Sequence, residues 1–197
     1  MYTISTIIIA SLACVSAAGT GLQITFDEFD ASNDNFAGLS NEYASLGVNF
    51  VTSDDGAIWD GTLGGDPGNW MITGTNGDQF MGFNGDSYGA TMLFDDNLSF
   101  LQLDTSRSNG SQEGDSMMIE AYLDGMLVDS DMVVFGDSLD VWTTLTLSGD
   151  FDTVVISGQG TDFHPFGVDN IAWRLVPAPS SITMLAAAGL IGTRRRR

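Results

Sequence analysis

The sequence predicts an all-β protein, an antiparallel sandwich. Three observations carry that reading. Between residues 19 and 176, short runs rich in Val, Ile, Thr and aromatic residues alternate with clusters of Gly, Asp, Asn and Ser, the habit of short strands joined by tight turns. Within the runs, apolar and polar residues alternate with a period of two, which gives a strand one buried and one solvated face. No stretch of this region sustains a helical period.

The strands follow in order. Leu22–Phe29 places Leu22, Ile24 and Phe26 on one face. Gly47–Thr52, Trp70–Thr73 and Thr91–Phe94 are short β-rich runs. In Leu98–Asp104, Phe100 shares a face with Leu98 while Leu101 and Leu103 lie opposite, so this strand is expected to be covered on both sides. Met117–Leu123 and Met126–Phe135 flank Asp124-Gly125, a two-residue hairpin turn whose central positions both want positive φ. Val141–Leu147 aligns Thr143, Leu145 and Leu147, and Ser148-Gly149-Asp150 reads as a second turn. Phe151–Ser157 opposes Val154 and Ile156 to Val155 and Ser157. Phe166–Leu175 places Asp169 on a face with Ile171, Trp173 and Leu175. Asn76-Gly77-Asp78 and Asn84-Gly85-Asp86 are two successive turns, and nothing longer repeats.

Both ends carry targeting features. Residues 1–18 hold an apolar run, Ile7 to Ala10 and Leu12 to Val15, followed by Ser16-Ala17-Ala18. This is the pattern of a secretory signal peptide, with cleavage after Ala17 or Ala18. No Lys or Arg precedes the run. Cys14 raises a rival reading as a lipoprotein signal, but Ser11 stands where such a signal wants an aliphatic residue. At the other end, residues 177–197 run from Pro177-Ala178-Pro179 through an apolar segment, 180–193, to Arg194, Arg195, Arg196 and Arg197. The segment is short beside the 17–25 residues or so of a membrane span. A buried helix would not finish in four arginines, because burying an unpaired charge is costly. The arginines instead hold the C-terminus on the cytoplasmic side of a membrane.

This tail resembles the bacterial PEP-CTERM sorting signal, in which a Pro-Glu-Pro motif precedes a transmembrane stretch and an arginine cluster. Here Ala178 replaces the glutamate and Val176 precedes the motif, a Val-Pro-Ala-Pro variant. The resemblance implies an exosortase-type sorting protease as partner. It also implies export to the cell envelope or extracellular surface, with membrane anchoring before or after processing.

Composition narrows the function. No cysteine lies in residues 19–176, so no disulfide staples this domain. The chain has no lysine. Arg107 and Arg174 are the only cations of the domain, while all 26 acidic residues fall between Asp27 and Asp169. Such a balance excludes nucleic-acid binding, which needs cations for phosphates, and docking on anionic lipid. Most of the carboxylates read as a solvated acidic surface. A few read as ligands for calcium, a hard cation that prefers oxygen.

The domain resembles the jelly-roll ectodomains that precede PEP-CTERM tails, themselves similar to galactose-binding-like and carbohydrate-binding modules. Three segments carry the likeness: Ile24 to Phe29, Leu46-Gly47-Val48-Asn49-Phe50, and Phe166-Gly167-Val168-Asp169-Asn170-Ile171. The resemblance implies a structural calcium where the first and last strands meet, held by Asp27 and Asp169, with Glu28 able to stand in for Asp27. The alternative is that Asp169 caps a turn or accepts from backbone amides. Asp54-Asp55 is a weaker candidate, better read as a solvated turn. Trp59 and Trp70 sit in a Gly/Asp/Asn loop that starts at Ser53, where exposed aromatic faces would stack on sugar rings. Folded back, the same tryptophans would cover the sandwich edge. Trp142 and Trp173 lie within strands.

Catalysis has little support. His164, the single histidine, stands near Asp162, but no Gly-x-Ser-x-Gly elbow supplies a nucleophile. No histidine cluster suits zinc. The expectation is a non-catalytic, calcium-stabilised carbohydrate or matrix-binding module of the extracellular polysaccharide. The alternatives are a structural acidic matrix protein without specific ligand and, more remotely, a glycan hydrolase.

Overall fold

The computed structural model describes residues 21–28, 36–52, 56–60, 71–83, 89–159 and 166–177, with backbone alone at 36–38, 52, 56–60, 83 and 159. All of these fall in one compact unit, Thr20–Ala178. The expected signal peptide lies outside the described residues, as does the sorting tail beyond Pro177. No helix among the described residues is long and apolar enough to cross a membrane.

The chain is all-β and antiparallel. The strands are β1 (Leu22–Ile24), β2 (Phe36–Gly38), β3 (Val48–Thr52), β4 (Gly56–Asp60), β5 (Gln79–Phe83), β6 (Gly89–Arg107), β7 (Ser116–Leu123), β8 (Met126–Val134), β9 (Thr143–Gln159) and β10 (Phe166–Leu175). They pair in the order β2-β4-β5-β10-β6-β9-β7-β8, with β1 added on β10 and β3 on β6. A 3-10 turn, Ala44–Leu46, ends at Gly47 with φ 77°.

Two long strands organise the sheet. The sequence suggests that residues 91–104 and 141–157 each hold two strands, yet β6 and β9 run through both segments. Each crosses from one half of the sheet to the other at a register shift, between Leu93 and Leu98 in β6 and opposite it in β9. The break expected at Ser148-Gly149-Asp150 is such an irregularity, with Gly149 at φ 129°. In one half, β3, the start of β6 and the end of β9 pair in turn with β7 and β8. In the other, β10 and β1 join the end of β6 and the start of β9. The two halves close on one core. Phe94 meets Trp173 at 5.5 Å, Phe26 meets Phe50 at 6.4 Å, and Thr105 Oγ1 reaches Met117 Sδ at 3.1 Å. Burial of this apolar surface, at about 25 cal/mol per Å², is the main favourable term holding the halves together.

Irregularities reverse two expected faces. A register shift between Leu98 and Phe100 sends Leu98 inward with Leu101 and Leu103, all 0% exposed, and leaves Phe100 outside. In β10, Asp169 pairs with Asp104 and Ala172 with Gln102, so one residue too many is accommodated between them. The extra residue is Asn170, at φ 54°. Asp169 therefore sits on the side of Asp104, opposite the inward pair Val168 and Thr105, and not with Ile171 and Trp173.

Other differences are local. The first strand stops at Ile24, because buried Phe26 takes φ 63° and turns the chain. Residues 71–74 form no strand, whereas the short β2, β4 and β5 were not legible among their glycines. The Asp124-Gly125 hairpin is as expected, with φ 51° and 76°.

One edge is closed by side chains. Asp129 and Asp131 of β8 each spend one oxygen on the amide next along their own strand, Ser130 at 3.0 Å and Met132 at 2.9 Å. The other oxygen accepts from β9, from Ser148 N at 2.8 Å and Thr146 N at 2.9 Å. Two carboxylates thus occupy amides on both open edges, which would otherwise invite pairing with another chain.

Candidate functional site

Asp27 and Asp169 grip the same loop. Phe26 in the left-handed region swings Asp27 toward residues 77–79, where Asp27 Oδ1 accepts from Asp78 N and Gln79 N, each at 3.2 Å. Asp169 holds the start of the loop, at Thr75. Its Oδ2 accepts from Thr75 N at 2.6 Å and Thr75 Oγ1 at 2.8 Å, and its Oδ1 from Asn170 N at 2.6 Å. Glu28 turns elsewhere. It accepts from Thr25 N at 3.2 Å and from Tyr43 Oη at 3.1 Å. Burial and the adjoining Glu28 carboxylate push the Tyr43 hydroxyl far above the ordinary tyrosine range.

Asp169 is 0% exposed. Burial raises its pKa above 3.8, and the hydrogen bonds from Thr75 and Asn170 offset that only in part. Every described donor to it is neutral. Ionised Asp169 is therefore a cost to the fold at neutral pH, of the kind that a bound cation removes.

The glycines show where oxygens converge. A methyl group added at Gly74 would lie 2.3 Å from Gln79 O, 3.1 Å from Gly77 O and 3.2 Å from Asp169 Oδ2. One added at Gly77 would lie 2.2 Å from Asp27 Oδ2. Gln79 O, Gly77 O and Asp169 Oδ2 thus pack against Gly74, and the Asp27 carboxylate packs against Gly77 of the same loop. Oxygen atoms are the donors that calcium prefers. The acidic side chains number two, and no group of three or more His, Cys, Asp or Glu gathers among the described residues. The other oxygens beside Gly74 are main-chain carbonyls, which residue type does not reveal. The one visible trace of the loop was its turn composition, Gly74 to Asp78.

A polar network adjoins the loop. Asn76 Nδ2 donates to Asn170 Oδ1 at 2.8 Å, and Gln23 Nε2 donates to the same oxygen. Asn170 Nδ2 donates to Asp104 Oδ2 at 2.8 Å, and Thr144 Oγ1 to Asp104 Oδ1 at 2.5 Å. Four strands and the loop are thereby joined through one strained asparagine. Beside it, Phe80 and Ile72 are buried under Trp142, with Phe80 and Trp142 6.4 Å apart edge-to-face. Trp142 Nε1 donates to Asp140 at 3.1 Å.

The remaining sequence candidates fall elsewhere. Trp59 stands in β4, opposite Phe36 and Phe80, and not in a loop. Five residues with Ile and Trp at the centre suffice to pair with β5, despite the flanking Gly and Asp. Trp70, Asp54, Asp55, Asp162 and His164 lie outside the described residues. A cleft of about 310 Å³ lined by Leu22, Leu46, Phe94, Asp95, Asp96 and Trp173 includes none of the expected site residues.

No protein-family model and no curated protein matches the chain. Similar solved structures do exist. The K1 cleaved adhesin domain of Lys-gingipain from Porphyromonas gingivalis W83 aligns with a TM-score of 0.50 at 12% identity, over 81% of this chain and all of that one. A cyclase from Fischerella sp. TAU in complex with 4-(1H-indol-3-yl)butan-2-one aligns at 0.49 and 12%, over 79% and 96%. TmCBM61 in complex with β-1,4-galactotriose aligns at 0.44 and 10%, over 70% and 97%. At these identities the likeness concerns the fold alone.

Proposed function

We propose that this chain is an exported, surface-sorted bacterial β-sandwich of jelly-roll type that acts as a non-catalytic, calcium-stabilised module binding extracellular carbohydrate. One observation carries the calcium part: Asp169 is fully buried, its described donors are all neutral, and Gln79 O and Gly77 O gather with its Oδ2 around Gly74. Asp169, the two carbonyls and Asp27 would hold the ion. The ion would supply the positive charge that this part of the chain lacks. Glu28 is left to brace Tyr43. The leader, the Pro-Ala-Pro tail and the arginine cluster support export and sorting by an exosortase-type protease. An adhesin domain among the similar folds is compatible with a surface role. The absence of a nucleophile elbow from the sequence favours binding over catalysis.

The test is thermal unfolding of the full chain with and without calcium. An ion that binds only the folded state, at 100 times its dissociation constant, adds about 2.7 kcal/mol, which is several degrees for a domain of this size. Sodium chloride at matched ionic strength controls for screening of the carboxylates. Asp169→Asn should lose the calcium response, and an unchanged response in that variant would remove Asp169 from the site. The second reading, a structural acidic matrix protein without specific ligand, is favoured by 26 carboxylates set against two arginines in the domain. A glycan array separates the two readings.

A further inference from the structure

The outer face of the β1-β10-β6-β9 half differs from the rest of this acidic molecule. Cross-strand pairing places Gln23, Ala172, Gln102 and Thr146 in one row, and paired residues share a face. The next row holds Asp169, Asp104 and Thr144. Asn170, unpaired in the ladder and in a left-handed backbone, is tied to Asp104 by its side-chain amide, with Thr144 on the other carboxylate oxygen. On the other side, Arg174 lies 4.6 Å over the ring of half-buried Phe100. Beyond Asp104, the face ends where Trp142 and Phe80 close over Gly167. The face is thus a polar strip with an aromatic group at each end. From Phe100 to Ser106 it extends six residues along β6, roughly 20 Å at about 3.3 Å per residue.

Asp169 shares this side of the sheet but is buried against Thr75 of the loop, so the accessible strip carries one carboxylate, Asp104, and one guanidinium, Arg174. Between its aromatic ends, the other accessible groups are amide, hydroxyl and methyl. Alanine at the centre of the middle row keeps the floor low between two glutamines. Asp104 accepts one bond on each oxygen and retains free lone pairs. Fixed, neutral and rich in donors and acceptors, the strip matches a chain of uncharged hydroxyls, while an anionic polymer would be repelled by the surrounding carboxylates.

We propose that this face binds an extended, neutral polysaccharide, lying along β6 between Trp142 and Phe100. The inference rests on the carbohydrate-binding reading above and gives it a site. The experiment is affinity electrophoresis of the full-length chain through soluble neutral polysaccharides (galactan, xylan and a mixed-linkage glucan), with polygalacturonate as the acidic control. Gln102→Glu and Thr146→Arg alter the strip but lie outside its hydrogen-bond network. Each should weaken retardation by about tenfold or more, with an unchanged melting temperature. Hydroxyl-radical footprinting of the unaltered protein should show Trp142 and Phe100 protected by the retarding polysaccharide. Retardation that survives both substitutions, or that leaves Trp142 and Phe100 unprotected, places the glycan elsewhere and overturns the assignment while carbohydrate binding stands. Retardation by polygalacturonate alone overturns the neutral-ligand claim. No retardation by any polysaccharide overturns both the site and the carbohydrate-binding reading.

Discussion

Asp169 shows how far a single residue can be read in advance. A carboxylate in an apolar strand of a chain with few cations had to find some partner, and it found the amide and hydroxyl of Thr75 on a loop and the amide of Asn170 in its own strand. Its side of the strand was not legible, because the bulge at Asn170 adds a residue that alternation cannot detect. Its protonation follows from burial. The folded chain holds the proton above the ordinary 3.8, so stability from this group is complete below about that pH. It is lost as pH rises through the folded value. In calcium-free buffer the melting temperature of wild type minus that of Asp169→Asn should therefore grow as pH falls from 7 toward 4, followed by differential scanning fluorimetry. A pH-independent difference would refute this. The asparagine amide would also face only donors, an offset of about 1–3 kcal/mol that does not titrate. Gly74 makes a separate demand on its site. A methyl there meets the Gln79 carbonyl at 2.3 Å, so Gly74→Ala should destabilise by about 1–3 kcal/mol in urea unfolding.

At the level of elements, strands with strong alternation announced themselves, and those interrupted by bulges were misread. β7, β8 and their Asp-Gly turn match the pattern because nothing breaks their period. β6 and β9 looked like four strands because each crosses between the two halves of the sheet at an irregularity rich in Asp, Asn or Gly. β2, β4 and β5 are only three to five residues long and lie among Gly, Asp and Asn, too short a run for propensity to register them. The seam between β8 and β9 was equally hidden, since an aspartate facing a sheet edge looks like any solvated acid. Asp129→Ala with Asp131→Ala leaves Ser130, Met132, Thr146 and Ser148 amides without these acceptors. The double variant should lose on the order of 1–2 kcal/mol and should associate at neutral pH, seen by light scattering. A monodisperse double variant of unchanged stability would show that the seam is ornamental.

For the whole molecule, charge and its distribution were the most legible property. Twenty-six acids and six arginines leave a formal net charge of −20, with four of the six arginines at the extreme C-terminus. That segregation underlies the sorting prediction. Mass spectrometry of the protein from its native host should find a surface-exposed form without Arg194–Arg197, cut near Pro177-Ala178-Pro179. Finding the arginines intact on an abundant surface form would contradict processing. Within the domain, function was legible only as chemistry excluded and ions favoured. The oxygens that would complete a metal site belong to the backbone, and the polar strip is assembled from four strands distant in sequence.

The bond from Asn76 to Asn170 ties the loop held by Asp27 and Asp169 to the floor of the strip. If calcium binds the loop and a glycan the strip, this bond links the two sites, and any coupling between them is reciprocal. Whatever factor calcium adds to the affinity for a glycan, the glycan must add to the affinity for calcium. Such a module would let go of its polymer when calcium thins, and would hold its calcium longest where polymer is dense.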